Sequence, residues 1–204
     1  MLFFDIETEA HPEAVQFIDE PSAPGNYKDP DKIAAYVAEK KAELIDRAAL
    51  DPDYGRIVAI GYKVDDQPTD SRLVVGGYEE WELLDRFWDL FFESEGVCCG
   101  YNIIGFDLPY LLKRSFDLGV RVPLTPDLRK YQHHPTCDLM GILYNWGQAK
   151  SLKWVAKRYG LPNPLPDLDG SQVKDMDADT LRAYVENDVN LVFTLYKKMK
   201  GVYI

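Results

Sequence analysis

Apolar residues crowd positions 2–6, Leu-Phe-Phe-Asp-Ile, and predict a buried first strand. Positions 57–64, Ile-Val-Ala-Ile-Gly-Tyr-Lys-Val, predict a second strand after Gly55, and 72–76 a third, which makes a meander. From Glu79 to Phe92 the apolar residues recur at helical spacing, and a short strand at 96–101 follows. Helical spacing returns over 108–118, 150–159 and 178–199, with connections rich in Pro and Gly at 121–126 and 160–170. Strands first, then strands mixed with helices, predict an α/β fold with a central mixed sheet and helices on both faces.

About 50 residues separate the first strand from Arg56, more than an ordinary connection needs. Ile33, Val37, Leu44 and Ile45, spaced among Glu and Lys, predict an amphipathic helix there. It can be a helix packed on the domain, or a lid or docking element beside a site. The expected organisation is one domain over 1–204 with an inserted helical segment at about 10–54.

Composition narrows the function. With 204 residues, 46% hydrophobic and 13% aromatic, the chain suits a single full core. No charged leader with an apolar stretch is visible, nor an apolar run near the roughly 20 residues that span a bilayer, so no membrane partner is expected. Cys98, Cys99 and Cys137 lack zinc-type spacing and an even disulfide count, so they are expected as core thiols in a reducing, cytoplasmic compartment. His11, His133 and His134 add no ligand cluster, which argues against a zinc enzyme. A formal net charge of −11 disfavours a protein that grips long stretches of duplex, yet suits one that holds a few terminal nucleotides around bound cations.

Three groups of residues carry candidate chemistry. On a strand, Asp5 and Glu7 point the same way with Cα atoms roughly 6.6 Å apart, while Phe4 and Ile6 point the other. Two acids on one side of a greasy strand call for a cation or for hydrogen bonds, and a strand-end turn or an N-cap at Glu7-Thr8 is the plainer alternative. Asp107 precedes Leu108-Pro109, a helix start, where an Asp commonly serves as N-cap. Tyr184 and Asp188 stand four apart on a helix and share a face, as a core tyrosine with a solvated acid also would.

Taken in order, Asp5-Ile6-Glu7, the block Gly100-Tyr101-Asn102-Ile103-Ile104-Gly105-Phe106-Asp107-Leu108-Pro109-Tyr110-Leu111, and Tyr184-x-x-x-Asp188 resemble the three motifs of the DEDD 3′–5′ exonuclease superfamily. The middle block is especially similar to the proofreading domain of family B DNA polymerases. With Ala at 183 and Tyr at 184 the chain resembles the tyrosine branch. Ser151 to Leu161 looks like the helix between the second and third motifs, and Asp138 resembles an acid that often precedes it. The resemblance covers nearly the whole chain and implies a ribonuclease H-like fold with a five-stranded sheet. No polymerase palm, fingers or thumb is recognisable, so action without a polymerase in the same chain is expected.

The resemblance also assigns roles. Carboxylates without His or Cys select hard cations, so two Mg²⁺ or Mn²⁺ ions are expected. Asp5 would bridge them, Glu7 and Asp188 would complete the site that holds the attacking water, and Asp107 would support the second ion. Tyr184 would orient or help deprotonate that water. Asn102, Phe106, Ile6 and Thr8 would line the terminal nucleotide, an aromatic face stacking on any base. Lys113, Arg114, Lys150, Lys153, Lys157 and Arg158 are candidates for phosphate contacts or plain solvated helix faces. The expected activity is hydrolysis from a single-stranded DNA 3′ end, releasing nucleoside 5′-monophosphates. An exoribonuclease would use the same acids, and a non-catalytic nucleic-acid-binding or scaffolding module is the reading from another class. A separate polymerase or a replication or repair protein is the expected protein partner.

Overall fold

A computed structural model describes residues 1–202. Its sheet contains β1 (Leu2–Ala10), β2 (Gly55–Val64), β3 (Asp70–Leu73), β4 (Cys98–Gly100) and β5 (Thr136–Asp138), in the order β3-β2-β1-β4-β5. β2 and β3 run antiparallel, whereas β1 pairs with β4 and β4 with β5 in parallel, with Phe3 opposite Cys99 and Cys99 opposite Cys137. The sheet is therefore mixed and five-stranded, as expected.

Alternation along β1 sorts its side chains between two cores. Leu2, Phe4 and Ile6 join the apolar cluster of helix α2 (Glu80–Glu93) and helix α3 (Asp107–Leu118), with the Phe4 and Phe87 rings 4.9 Å apart. Phe3 turns to the other face and meets Phe193 and Tyr196 of the last helix at 5.1 and 5.2 Å. Asp5 and Glu7 share the parity of Phe3, so β1 directs them toward that last helix.

The remaining helices of this region are α4 (Leu139–Tyr144), α5 (Leu152–Tyr159) and α6 (Ala178–Lys200). α6 starts where Asp177 accepts a hydrogen bond from the Thr180 N–H at 2.8 Å. It approaches β2 closely at Gly61, where a Cβ would come within 2.9 Å of Val185 Cγ2. β5 and α4 escape the sequence pattern because three and six residues are too few to display a period. β1 runs four residues beyond the predicted end, and β3 begins two residues earlier than predicted before closing in a 3₁₀ turn over Val74–Gly76.

Thr8–Arg56 forms a compact unit of its own, and Met1–Glu7 with Ile57 onward forms the other. Inside the former, α1 (Pro30–Arg47) has Asp29 as N-cap, accepting from the Asp31 N–H at 3.0 Å, with Pro30 in the first turn. Ile33 and Val37 are half-buried on it, while Leu44 and Ile45 are exposed. Its ends are tied together by Arg56 on Glu9, with Nε to Oε1 at 2.9 Å, and by the His11 N–H on the Tyr54 carbonyl at 2.8 Å.

Among the described residues no helix is long and apolar enough to cross a membrane. Cys98, Cys99 and Cys137 are free and buried, and desolvation pushes the Cys98 thiol up to about 12.

Candidate active site

Leu181, Tyr184, Asp188, Leu191 and Leu195 follow one another at steps of three and four residues along α6, and all are buried. An aspartate thus occupies a place in a stripe that the helical period reserves for apolar side chains. The acid it meets is the β1 pair. Ligand oxygens of Asp5, Glu7 and Asp188 all lie within 4.8 Å of one another.

Asp107 arrives by a different route. The chain leaves β4 and turns through Asn102, whose backbone is left-handed (φ +68°) and whose carbonyl accepts from the N–H groups of Gly105 and Phe106 at 3.0 and 2.9 Å. Asp107 is then the first residue of α3 and Phe106 its N-cap, so the capping role open to Asp107 in the sequence is not the one it takes. Instead its Oδ1 accepts the main-chain N–H of Ile6, the residue between Asp5 and Glu7, at 3.3 Å.

Asp138 fixes this turn. It accepts four main-chain N–H groups, from Asn102 and Ile104 at 3.0 Å each, and from Met140 and Gly141 at 3.0 and 3.1 Å. One buried carboxylate therefore caps α4 and pins the loop that delivers Asp107.

Crowded acids raise one another's affinity for protons. Asp5 titrates well above the usual carboxylate range because of desolvation, then the charges of Asp107, Glu7 and Asp188. Glu7 is raised in the same way by burial, then by Asp188 and Asp107. Burial lifts Asp107 to about 7, against the main-chain N–H groups that favour its anion. Asp188 is raised by burial, while Lys153, Asn187 and Tyr184 oppose the shift. Burial, then Glu7 and Asp188, pushes the Tyr184 phenol far up, so it stays protonated.

Lys153 is the cation set into this cluster. Its Nζ stands 3.7 Å from Asp188 Oδ1 and 4.1 Å from the centre of the Tyr184 ring, and donates to the Leu168 carbonyl at 2.5 Å. Asn187 holds the same Asp188 oxygen at 3.1 Å and reaches Asn163 Oδ1 at 3.1 Å. The sequence offers Lys153 only as one basic residue among six, and neither asparagine is marked by any spacing.

The other candidates divide. Ile6 buries its side chain in the core and presents only its N–H to Asp107. Phe106 is half-buried against the α2–α3 cluster, its ring 5.4 Å from that of Tyr110, and Asn102 is half-buried beside it in sequence space on the pinned turn. Thr8 belongs to the Thr8–Arg56 unit, where its hydroxyl donates to the Ala49 carbonyl at 2.6 Å. Arg114 is neither a phosphate contact nor a solvated side chain: it is buried in a bidentate pair with Glu80 at 2.8 Å, which consumes its charge. Lys113 pairs with Asp117 at 2.8 Å, and Lys150, Lys157 and Arg158 are exposed.

Comparison with known proteins agrees with this geometry. A family profile described as predicted 3′–5′ exonucleases related to the exonuclease domain of PolB matches residues 50–203. An uncharacterized protein of Methanocaldococcus jannaschii is 31% identical over 170 residues, covering 75% of this chain and 90% of that one. A DNA polymerase of Pyrococcus glycovorans is 30% identical over 128 residues, 62% of this chain but 13% of the polymerase. Among solved structures, the family B DNA polymerase of Pyrobaculum calidifontis superimposes with a TM-score of 0.64 at 22% identity, over 98% of this chain and 24% of that one. That likeness identifies the fold as ribonuclease H-like.

Proposed function

The chain belongs to the family of predicted 3′–5′ exonucleases related to the exonuclease domain of PolB, and from that premise we propose a metal-dependent enzyme that removes nucleotides from single-stranded DNA 3′ ends. It releases nucleoside 5′-monophosphates and works without a polymerase in the same chain. The observation that carries this reading is the convergence of Asp5, Glu7 and Asp188 within 4.8 Å.

An all-oxygen, mutually repelling donor set fits hard divalent cations, Mg²⁺ or Mn²⁺, and disfavours soft ones. Asp5, Glu7 and Asp188 would hold one ion, and Asp5 with Asp107 the second. Such ions, when bound, lower the pKa of water and neutralise charge on the phosphate and the leaving 3′ oxygen. The chain's own groups do the rest. Tyr184 keeps its proton and donates a hydrogen bond that orients the attacking water. Lys153 offsets the charge of Asp188 and opposes the burial that raises the proton affinity of that carboxylate. Asn102 and Phe106, carried on the pinned turn, present an amide and a ring to the terminal nucleotide.

Single strands are favoured because terminal bases must leave the stack to enter, and the net charge of −11 gives no general hold on duplex. Independence from a polymerase is supported by the M. jannaschii relative, 90% of which lies within the match.

The test is digestion of a 5′-labelled single-stranded DNA oligonucleotide with Mg²⁺, Mn²⁺ or chelator, beside a sequence-matched RNA and an Asp5→Ala control. A ladder shortening from the 3′ end of DNA, present only with metal and intact Asp5, is expected. Preferential RNA cleavage replaces the substrate with RNA. Full activity in clean Asp5→Ala protein sinks the enzyme assignment, and a folded wild type that cuts neither polymer leaves a binding module.

A further inference from the structure

Charge is distributed unevenly along this acidic chain. Between Leu128 and Pro166 stand six Lys and Arg residues and a single acid, the buried Asp138, although the whole chain carries −11. The same stretch displays aromatic rings to solvent: Tyr131 is 68% exposed and Trp154 is 44% exposed.

Three of these residues form one assembly. Tyr131 and Trp146 pack edge to face with ring centres 6.1 Å apart, and Lys130 Nζ lies 5.6 Å from the Trp146 ring centre. Arg129, next in the chain, is spent on Asp127, whereas among the described residues Lys130 pairs with no carboxylate. The backbone takes uncommon conformations to make this arrangement. Tyr131, Asn145 and Trp146 all have left-handed φ, at 66°, 48° and 61°, which Asn adopts readily but which is costly for the bulky Tyr131 and Trp146. α4 ends at the left-handed Asn145, and Trp146 then folds its indole back over Gly141, where a Cβ would come within 2.4 Å of Cζ2. The Trp146 indole is thereby seated against α4, the helix that Asp138 caps while pinning the Asp107 turn, and it carries the exposed Tyr131 ring and the unpaired Lys130 ammonium beside it.

We propose that Lys130, Tyr131 and Trp146 form a stacking platform for single-stranded DNA, holding nucleotides upstream of the 3′ end. Rings accept any base without sequence preference, and the ammonium takes a phosphate between them. The groups presented here are aromatic rings and an ammonium, and a stacked polyanion uses all of them. The strand's route to the acids is bounded, since six residues lie between Trp146 and Lys153 and limit their separation to at most about 25 Å. The platform rests on the exonuclease reading for its purpose, though its binding is measurable without cleavage.

The experiment is fluorescence anisotropy of 5′-labelled oligothymidylates of about 3 and about 12 nucleotides, a span drawn from single-strand site sizes, with Asp5→Ala protein in Mg²⁺ so that nothing is cut. The longer oligomer binds more tightly than the shorter, and Tyr131→Ala weakens its binding roughly 5- to 100-fold, erasing that advantage. Tyr131→Phe keeps the ring and restores binding. Lys130→Ala weakens binding more than Lys198→Ala, which removes the same charge from the last turn of α6, outside the ring assembly. Equal affinity for both lengths, no loss with Tyr131→Ala, or an equal effect of Lys198→Ala overturns the platform. Tight binding of the longer oligomer beside a wild type that cuts no DNA sinks the exonuclease reading and leaves the platform standing.

Discussion

The main-chain N–H of Ile6 donates to Asp107 Oδ1 at 3.3 Å, so the acid of the second motif is tied to the strand that carries the first. That bond ties Asp107 to the backbone between Asp5 and Glu7, while the acids whose oxygens lie within 4.8 Å of one another are Asp5, Glu7 and Asp188. It also separates the two jobs of the side chain, accepting a hydrogen bond and carrying charge.

Asp107→Asn tests the separation. The amide oxygen can still accept from Ile6, and one charge leaves a group of acids that repel one another. Without metal the variant should be as stable as the parent or more so, by denaturant unfolding. Its cleavage rate should fall by more than about 100-fold, beyond the usual cost of losing an outer partner of a metal site. An unstable variant would mean that the charge itself holds the fold.

The raised acids set a sign for pH dependence. Asp107 titrates near 7 when folded against 3.8 for the ordinary group, so between those values the folded state binds more protons than the unfolded state. Stability of the metal-free protein should therefore fall as pH rises from about 4 to about 7, by at most about 1.4 kcal/mol per pH unit for this group. Glu7 and Asp188 shift in the same direction and add to the trend. Mg²⁺ or Mn²⁺ at about 100 times its dissociation constant should add roughly 2.7 kcal/mol and flatten the slope. Thermal melts across pH, with chelator and with metal, decide it; a chelated protein that gains stability with rising pH contradicts the assignment of these shifts.

Much of this site was legible because it lies on regular elements. The strand period puts Asp5 and Glu7 on one side, and the helix period puts Tyr184 and Asp188 on another, with no knowledge of the fold. The family resemblance then identifies the acids as one set. What stayed hidden depends on partners far apart in the chain. Arg114 looks like a helix-surface cation until Glu80 is found beside it, and Lys153 is one basic residue among several until α5 docks on α6. Asp138 gives no sign that it serves Asn102, because neither β5 nor the short helix after it is long enough to show a pattern.

Asp138→Ala should accordingly damage both fold and activity. Four main-chain N–H groups lose their acceptor, at about 1–3 kcal/mol for each that water cannot reach, so a loss of about 3 kcal/mol or more is expected in denaturant unfolding. Under conditions where the variant is folded, cleavage should still drop, because the turn that carries Asp107 is no longer pinned. Asp138→Asn retains one acceptor oxygen and should fall between the two proteins. Full activity in folded Asp138→Ala would mean that α3 alone positions Asp107.

Tyr184→Phe removes a hydrogen-bond donor and leaves the ring under Lys153 in place. Stability should change by less than about 1 kcal/mol, since the phenol contributes one ordinary hydrogen bond. The rate should fall less than in any of the acid variants. Because the phenol is held far above its usual range, neither protein should show an alkaline limb assignable to Tyr184 in its pH–rate profile. An alkaline limb near pH 10 that disappears in Tyr184→Phe would instead identify a phenolate as the working form.

Lys153→Met isolates the remaining contribution. The ammonium sits 3.7 Å from Asp188 and lowers the proton affinity of both Asp188 and Glu7, so it is the protein's own counter-charge for the cluster. Methionine keeps most of the apolar stem against Tyr184 and deletes the charge. In metal-free solution at neutral pH the variant should lose about 1–3 kcal/mol, because Asp188 is left buried with one partner fewer. Added Mn²⁺ should recover most of that loss, since a bound cation supplies the missing positive charge. Cleavage should remain depressed even at saturating metal if the ammonium also faces the substrate phosphate, and return to the parent rate if it only balances the acids. Stability that neither falls in chelator nor responds to Mn²⁺ would show that Lys153 and the carboxylates are not electrostatically linked, and the account of this site would fail at its centre.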